Sequence, residues 1–414
     1  MVRATFLVRV DWNNDGDFID ANEDVTANVR ALEFFRGVDR DSGPEGLVVG
    51  GWLKMTLDNA TNIYSPSNTS GALTGSLLPG RKIEVQADTV VLWTGFIQRI
   101  LPQPHYKGDK VCFIEAVGPL GYLNQRRVST SMQASQRTDQ LIGVILDRVN
   151  WPAGDRDLSA GLTTVTRHWA EALPCLEALR EVENSEAGML YEKKNGQIAF
   201  RDRQHRFTGT RLTSQATFSD AVAAANPYQS ILHRDNLAHI FNAFPGEVTL
   251  FTVGALAELW RHPESGASSP LLSATAGDPN RVKNLIIRYP VGDSPTQDVA
   301  VDAWTTLVAT TDYTANAAAD GSGADLTANI TPPAVGGKLG QRWENGFTNS
   351  GATPAYMTLM RARGTPVSVT DAVKIEEIDA TSRTRYGERS WPSPTKWSPS
   401  ADEAILWGTF MLSR

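Results

Sequence analysis

Short segments in which apolar and polar residues alternate dominate the first 125 residues of the chain. The clearest is residues 52–57, where Leu53, Met55 and Leu57 share one face and the residues between them are polar. This alternation is typical of a half-buried β-strand. Similar segments, separated by turns, occupy residues 4–10, 29–34, 81–87, 90–100 and 110–117. Because no helical segment interrupts them, the pattern predicts an antiparallel barrel or sandwich.

The pattern changes to a helical spacing of apolar residues after Tyr122. Residues 138–149 have this spacing and stop before Pro152, and residues 173–183 carry a second apolar stripe. An Asn-Gly pair then separates two strand-like segments within residues 189–200, which is a strong signal for a β-hairpin. These elements predict a small α+β module.

The rest of the chain returns to a less regular β pattern and ends in a segment apolar enough for a short helix, residues 401–412. A chain of 414 residues is longer than one hydrophobic core usually organises. We therefore predict a mainly β protein with a small α+β module and two antiparallel β-barrel-like domains. Its predicted parts are a first β-barrel (1–125), the α+β module (126–206), a second β region (207–290), an irregular β and loop insertion (291–365), and the completion of the second barrel with a C-terminal helix (366–414).

Charge and composition exclude several classes of function. The net charge of −7 argues against a general or sequence-specific nucleic-acid-binding surface, which needs clustered Lys and Arg. No apolar run approaches the length of a membrane span, and the N-terminal segment lacks the features of a secretory signal. We expect a product that stays in the cytoplasm until something else releases it. Cys112 and Cys175 are expected to be buried free thiols, although a single disulfide is the alternative.

The sharpest local motif is DWNNDGDFID at residues 11–20. Asp11, Asn13 and Asp15 alternate before a glycine, with Asp17 following, which matches the first half of a calcium loop. The match then weakens, because the position that should carry a bidentate Glu is Asn22. The alternative interpretation is a turn between strands, where Asp, Asn and Gly are favoured by backbone geometry.

Catalytic motifs are missing from the sequence. The six histidines form no i, i+4 pair, and neither a nucleophile elbow nor a phosphate-binding loop occurs. Asp41 and Glu45 could be imagined as a glycosidase pair, but the sequence favours the interpretation that they are solvated loop charges. Trp391 and Trp397 lie in a Pro/Ser-rich segment, where they could anchor a neighbouring subunit or pack on their own domain. We expect no enzyme activity and no required cofactor, with calcium the one candidate ligand.

Several segments, taken in order, resemble phage tail hub proteins. DNATNIYSP at 58–66, GSLLPGRKIEV at 75–85, LWTGFI at 92–97 and EAVGPLGYL at 115–123 are similar to the family's first barrel. Further along, LDRVNWP, an Asn-Gly hairpin closing on FRDR, and TSRTRYG at 381–387 are similar to its middle domain and closing segment. The order of these segments along the chain carries the resemblance.

The resemblance implies a non-enzymatic homotrimer whose two barrels per subunit form a pseudo-sixfold ring at the tail tip of the virion. Its expected partners are the distal tail or tail tube protein, the tape-measure protein, and tail-tip or fibre proteins, with assembly in the host cytoplasm. The alternatives are a calcium-assisted carbohydrate- or receptor-binding tail protein, which the acidic loop and the tryptophans favour, and a cell-wall hydrolase.

Overall fold

A computed structural model describes most of the chain. The described residues are 4–39, 47–103, 109–214, 216–220, 226, 230, 240–264, 269–275, 278, 281–289, 298–332, 337–370, 372–391 and 397–412. Of these described residues, 42% lie in strands and 18% in helices, which confirms the mainly β prediction.

The N-terminal part is one six-stranded, fully antiparallel sheet. Its strands are β1 (Phe6–Val10), β2 (Val29–Asp39), β3 (Leu47–Asp58), β4 (Lys82–Ala87), β5 (Val90–Gln103) and β6 (Val111–Val117). They lie in the order β1-β4-β5-β6-β3-β2, which forms a half-barrel with β1 and β2 at its edges. All six predicted strands are confirmed.

The inner face of this half-barrel is the first hydrophobic core. Leu53 and Leu57 are fully buried on β3, and Trp93 is fully buried on β5, so the alternation in sequence does mark the buried face. The segment between β3 and β4 covers this core. There the buried Asn59 amide accepts a hydrogen bond from the backbone N–H of Tyr64 at 3.0 Å, which fixes the tyrosine ring in the core.

The α+β module follows directly. Its elements are α1 (Pro119–Leu123), β7 (Arg127–Val128), β8 (Gln133–Arg137), α2 (Thr138–Arg148), β9 (Arg156–Leu158), β10 (Thr164–His168), β11 (Leu173–Pro174), α3 (Cys175–Glu186), β12 (Met189–Glu192) and β13 (Ile198–Arg201). Both predicted helices and the β12–β13 hairpin are confirmed. The second helix starts two residues later than predicted, because Leu173 and Pro174 pair with β7.

The C-terminal part contains three further sheets and two helices. Its elements are β14 (Ala243–Val248), β15 (Phe251–Val253), β16 (Ala257–His262), β17 (Leu271–Leu272), β18 (Val282–Arg288), β19 (Asp298–Trp304), β20 (Tyr313–Asn316), β21 (Ile330–Thr331), β22 (Gly337–Lys338), β23 (Arg342–Asn349), β24 (Ala355–Val369), β25 (Val373–Ile378), α4 (Ala380–Tyr386) and α5 (Ala401–Leu412). The predicted C-terminal helix is confirmed as α5. It packs on the β14–β25 pair, where Trp407 and Phe244 have ring centroids 5.8 Å apart.

The long strand β24 organises the largest of these sheets. It pairs with β15, β16 and β17 along one edge and with β19 and β20 along the other. The region 291–365, expected to be irregular, is therefore more regular than the sequence indicates. The strands of this region pair with β24, which lies far from them in the chain. A short sequence window cannot reveal such a pairing.

The core of the α+β module extends into the C-terminal part. Ala300, Val367 and Trp397 are buried together with the apolar faces of α2 and α3. The predicted domain boundaries stay predictions, but the packing is continuous across the boundary placed at residue 206. Among the described residues, no helix combines the length and apolar character needed to cross a bilayer.

Candidate functional site

The predicted calcium loop leaves the half-barrel at the end of β1 and returns beside it. The backbone N–H of Val10 donates to the carbonyl of Glu23 at 2.9 Å, and that of Val25 donates to Val8 at 3.0 Å. These two bonds hold the ends of the loop together, so residues 11–22 form a loop whose two ends are fixed beside β1.

Asp11 organises the first half of the loop. Its carboxylate accepts hydrogen bonds from the backbone N–H groups of Asn14 at 2.5 Å, Asp15 at 3.2 Å and Gly16 at 3.0 Å. Gly16 has φ +101°, a conformation that side chains rarely adopt, which is the physical reason for glycine in the motif. Asp11 is only 2% exposed, so it faces inward from the loop.

This loop contains two overlapping groups of carboxylates, of which Asp11 and Glu23 are buried and Asp15, Asp17 and Asp20 are exposed. Asp11, Asp15 and Glu23 can each place a carboxylate oxygen within 4.8 Å of the other two, and Asp15, Asp17 and Asp20 do the same. Within the part of the chain that the structure describes, these are the two groups of acidic, His or Cys side chains with such spacing. Of the predicted ligands, Asp11 and Asp15 therefore lie together, while Asp17 belongs to the second group.

The calcium-loop motif makes Asn13 a metal ligand, but its amide group is engaged in hydrogen bonds within the loop. Its amide nitrogen donates to the carboxylates of Asp15 at 2.8 Å and Asp20 at 2.5 Å. Its amide oxygen accepts from the backbone N–H of Asp15 at 3.2 Å. Asn13 therefore crosslinks two members of the second acidic group, and metal binding by Asp11, Asn13, Asp15 and Asp17 stays a prediction.

Glu23 is the residue that sequence reasoning missed. The calcium-loop pattern requires its closing Glu at position 22, with Glu23 and Asp24 just beyond, but Asn22 is exposed and has φ +71°. This left-handed residue turns the chain, so that Glu23 and Val25 point inward and Asp24 points outward. The signal available was the strand-like alternation of Glu23, Asp24 and Val25.

The Glu23 carboxyl is buried and only half satisfied. It is 1% exposed. One oxygen, Oε2, accepts from the backbone N–H of Asp20 at 3.1 Å. Among the described residues, Oε1 has no hydrogen-bond partner. Burial, followed by repulsion from Asp11, Asp20 and Asp15, raises the pKa of Glu23.

The carboxylates of the two acidic groups have no Lys, Arg or His partner within 4.0 Å among the described ion pairs. Arg9, two residues before Asp11, is paired with Glu84 at 2.6 Å. Hydrogen bonds from the backbone N–H of Asp17 and from the Asn13 amide lower the pKa of the Asp15 carboxyl.

A second site of interest is the junction between the half-barrel and the α+β module. Glu192, at the end of β12, is 2% exposed and inserts its carboxylate between the two units. It accepts hydrogen bonds from the backbone N–H of Gly51 on β3 at 2.6 Å and of Leu120 on α1 at 3.1 Å. Burial raises the pKa of this carboxyl, and the two hydrogen bonds oppose that rise.

Two glycines make room for this carboxylate. A Cβ atom at Gly51 would lie 2.3 Å from Oε1 of Glu192 and 2.9 Å from the carbonyl oxygen of Phe35. A Cβ atom at Gly118 would lie 2.3 Å from both carboxylate oxygens. Only glycine permits the backbone to approach the carboxylate this closely at either position.

Aromatic rings complete the junction. Phe96 on β5 stacks on Tyr122 of α1 with centroids 4.3 Å apart, and it meets the edge of Trp151 at 5.7 Å. The hydroxyl of Thr94 donates to the carbonyl of Lys194 in the hairpin at 3.0 Å. The junction is thus closed by both apolar and polar contacts.

The two tryptophans proposed for an interface have partners within their own chain. Trp397 is 3% exposed, stacks on Phe251 at 5.6 Å, meets Trp169 edge-on at 5.1 Å, and donates from Nε1 to Glu181 at 3.1 Å. Trp391 is partly buried and packs edge-on against Phe241 at 5.0 Å. These contacts are the ones expected if the tryptophans pack on their own chain. A role in contacting a neighbouring subunit stays a prediction.

Of the other candidate residues from the sequence, His168 and both cysteines are buried in the protein core, and several others lie outside the described residues. His168 is buried beside Trp397, with ring centroids 4.8 Å apart. Asp41 and Glu45 lie outside the described residues, as do His105, His233 and His239. Cys112 and Cys175 are both free and buried, in separate cores, which confirms the prediction of two free thiols.

No known protein family matches this sequence, and no curated protein matches it significantly. Comparison with solved structures does find similar chains. The 43 kDa tail protein of prophage MuSo2 from Shewanella oneidensis is 10% identical with a TM-score of 0.33, over 48% of this chain and 54% of its own. The tail protein from Neisseria meningitidis MC58 is 11% identical with a TM-score of 0.40, over 60% of this chain and 64% of its own.

A third similar structure is the c3393 protein of E. coli, described as a type VI secretion component that is structurally similar to the T4 tail proteins gp27 and gp5. It is 11% identical with a TM-score of 0.27, over 64% of this chain and 54% of its own. This chain thus spans between 54% and 64% of the lengths of these three proteins. Two of these three similar structures are thus described as tail proteins, one of them from a prophage, and the third as a component of type VI secretion.

Proposed function

We propose that this protein is a structural hub at the distal tip of a phage tail, where it joins the tail tube or distal tail ring to the tip complex. On this proposal it acts as a homotrimer, with two barrel-like units per subunit arranged in a pseudo-sixfold ring. Its task is mechanical assembly around the tail axis, with no reaction to catalyse.

The observation that carries the proposal is the convergence of the hub-like sequence segments on one junction. Phe96 comes from the LWTGFI segment, Leu120 and Tyr122 come from EAVGPLGYL, and Trp151 comes from LDRVNWP. The Phe96 ring contacts the rings of Tyr122 and Trp151, and the backbone N–H of Leu120 donates to Glu192, just before the Asn-Gly turn. Three of the segments that carry the resemblance, together with the strand before the Asn-Gly turn, thus pack at one junction.

The use of buried carboxylates also supports a structural role. Glu192 fastens the module to the half-barrel. Glu186, which is fully buried, accepts from the backbone N–H of Thr163 at 2.7 Å and from the hydroxyl of Thr138 at 2.9 Å. Both groups are occupied by hydrogen bonds that connect segments, which leaves them poorly placed for acid–base chemistry on a substrate.

The proposed neighbours follow from the position in the tail. We propose that the ring contacts its own copies, the distal tail or tail tube protein, the end of the tape-measure protein, and tail-tip or fibre proteins. The site of action is then the virion tail tip, after assembly in the host cytoplasm.

Electron microscopy tests the proposal. The purified full chain is expected to form threefold rings with two lobes per subunit and a mass three times the 45.1 kDa of the chain. Antibody labelling of tails from the phage that encodes it should mark the axial tip. A chain that stays monomeric at all concentrations and labels the tail away from its tip would refute the hub.

The same material tests the receptor-binding alternative, which the acidic loop favours. Binding of the monomer to glycans, abolished by a chelator, would replace the hub proposal. Threefold rings that bind no glycan would exclude the alternative.

A further inference from the structure

The acidic loop has an oxygen arrangement that suits a hard divalent cation. Asp11, Asp15 and Glu23 bring oxygens from three carboxylates within 4.8 Å of one another. Calcium takes six to eight oxygen ligands at about 2.3–2.6 Å, and two oxygens bound to one such ion lie no more than about twice that distance apart. No His or Cys contributes to the group, which disfavours zinc and copper.

Glu23 provides the second, independent indication. Its buried Oε1 has no hydrogen-bond partner among the described residues, although its Oε2 is held by the Asp20 backbone. A buried carboxylate oxygen without a partner is costly, and it is rare in folded proteins. A carboxylate oxygen of Glu23 lies within 4.8 Å of oxygens of Asp11 and Asp15, so a cation between the three carboxylates would bind all of them.

The loop is also anchored where a metal site needs rigidity. Asp11 is fixed by three backbone N–H groups, and the carbonyl of Glu23 is bonded to Val10 on β1. Trp12, between the ligands, is 2% exposed and packs against Tyr64 with centroids 6.3 Å apart. An ion at this point would therefore fasten the loop to the edge strand and to the core of the half-barrel.

We infer that this loop binds one Ca²⁺ ion, held by the carboxylates of Asp11, Asp15 and Glu23, with Glu23 as the buried ligand that closes the site. The ion crosslinks the two ends of the loop at the edge strand β1. This inference is independent of the hub proposal, because it concerns the half-barrel of a single subunit.

Calorimetric titration of the full chain with CaCl₂ after removal of divalent ions tests the inference. We expect saturable binding of one Ca²⁺ per chain, weaker binding of Mg²⁺, and a higher thermal midpoint with Ca²⁺. Loss of an outer-shell partner of a metal site costs about 10- to 100-fold in affinity, and the loss of a ligand should cost at least as much. Glu23→Gln keeps the size of the side chain and removes its charge, so it should weaken Ca²⁺ binding by about that factor or more.

Asp24→Asn is the matched control. Asp24 is adjacent but exposed, and its Oδ1 accepts from the backbone N–H of Thr26 at 2.9 Å, a bond that Asn keeps. This variant loses the same charge and should bind Ca²⁺ like the wild type. Asp15→Asn is the second ligand variant. Because Asp15 is exposed, its loss should weaken binding without disturbing the fold, so the test stands even if Glu23→Gln does not fold.

Three results would overturn the inference. The first is the absence of heat and thermal stabilisation up to about 10 mM Ca²⁺, beyond the range of weak extracellular calcium sites. The second is wild-type affinity in folded Glu23→Gln or in Asp15→Asn. The third is an equal loss of affinity in Asp24→Asn, which would indicate general attraction of cations by a negative surface.

Discussion

Replacing Glu192 with Ala should lower the free energy of unfolding, because it weakens the junction between the half-barrel and the α+β module. The substitution removes the acceptor for the backbone N–H groups of Gly51 and Leu120, both of which are buried at the junction. Leaving a buried donor unsatisfied costs about 1–3 kcal/mol, so two donors cost about 2–6 kcal/mol, to which the cavity adds. This is a large fraction of the stability of a typical domain.

Glu192→Gln distinguishes the hydrogen bonds from the charge. Each carboxylate oxygen accepts from a different N–H group, so an amide satisfies only one of them and turns its own N–H₂ toward the other. We expect a loss of about 1–3 kcal/mol, partly offset because no charge is buried. Both variants are expected to have a lower free energy of unfolding than the wild type, and Glu192→Ala is expected to have the lowest.

Urea unfolding followed by tryptophan fluorescence measures the effect. With a slope of about 1–3 kcal/mol per molar urea, Glu192→Ala should lower the midpoint by about 1 M or more. Glu33→Ala is the control, because Glu33 is exposed on β2 and should change stability by no more than about 0.5 kcal/mol. Unfolding of Glu192→Ala at the wild-type midpoint would refute the reasoning, as would an equal loss in Glu33→Ala.

The pH dependence gives a further check on Glu192. The pKa of its carboxyl is raised above the ordinary value of 4.5 in the folded state, so the folded state binds the proton more tightly. Stability from this group is therefore fully present below pH 4.5 and is lost as pH rises through the raised value. The difference in free energy of unfolding between the wild type and Glu192→Gln should therefore shrink as pH rises from 4.5 through the raised pKa. A difference that grows over this pH range would contradict a raised pKa for Glu192.

Two further predictions concern other ionisable groups. Burial raises the pKa of Cys112 to about 11 and of Cys175 to about 12, so both thiols should resist a thiol-specific reagent at about pH 8 until the protein unfolds; rapid labelling of the native protein would contradict this. Hydrogen bonds from Arg201 and Lys193 lower the pKa of Asp157 from 3.8 to about 2, so its contribution to stability is present above pH 3.8 and lost as pH falls through about 2. Asp157→Asn should flatten that part of the pH–stability curve, modestly because the group is partly exposed; an unchanged curve would show that the ion pairs contribute nothing.

Local patterns in the sequence predicted the local elements of the fold well. Leu53 and Leu57 alternate with polar residues and are fully buried on β3, because a strand with one solvated face needs this period. The Asn-Gly pair predicted the β12–β13 hairpin, since these residues readily adopt the backbone of a tight turn. The apolar segment at residues 401–412 forms the predicted helix.

Features that depend on contacts between distant segments were not predictable. Glu192 looks like an ordinary polar residue before a turn, and its partners are more than 70 residues away in sequence. Glu23 was missed because the left-handed Asn22 changes which residue faces inward, and backbone dihedrals of loops leave little trace in one sequence. Trp397 was ambiguous for a similar reason: its aromatic partners, Trp169 and Phe251, lie in other parts of the chain.

The position of β24 in the chain has a consequence for how the protein is made. This strand spans residues 355–369, yet its five partner strands all precede it, starting with β15 at Phe251. During synthesis those strands emerge from the ribosome without the partner that joins them, so the largest C-terminal sheet must form late and from nonlocal pairings. Such pairings fold slowly and leave strand edges open to misassembly in the meantime.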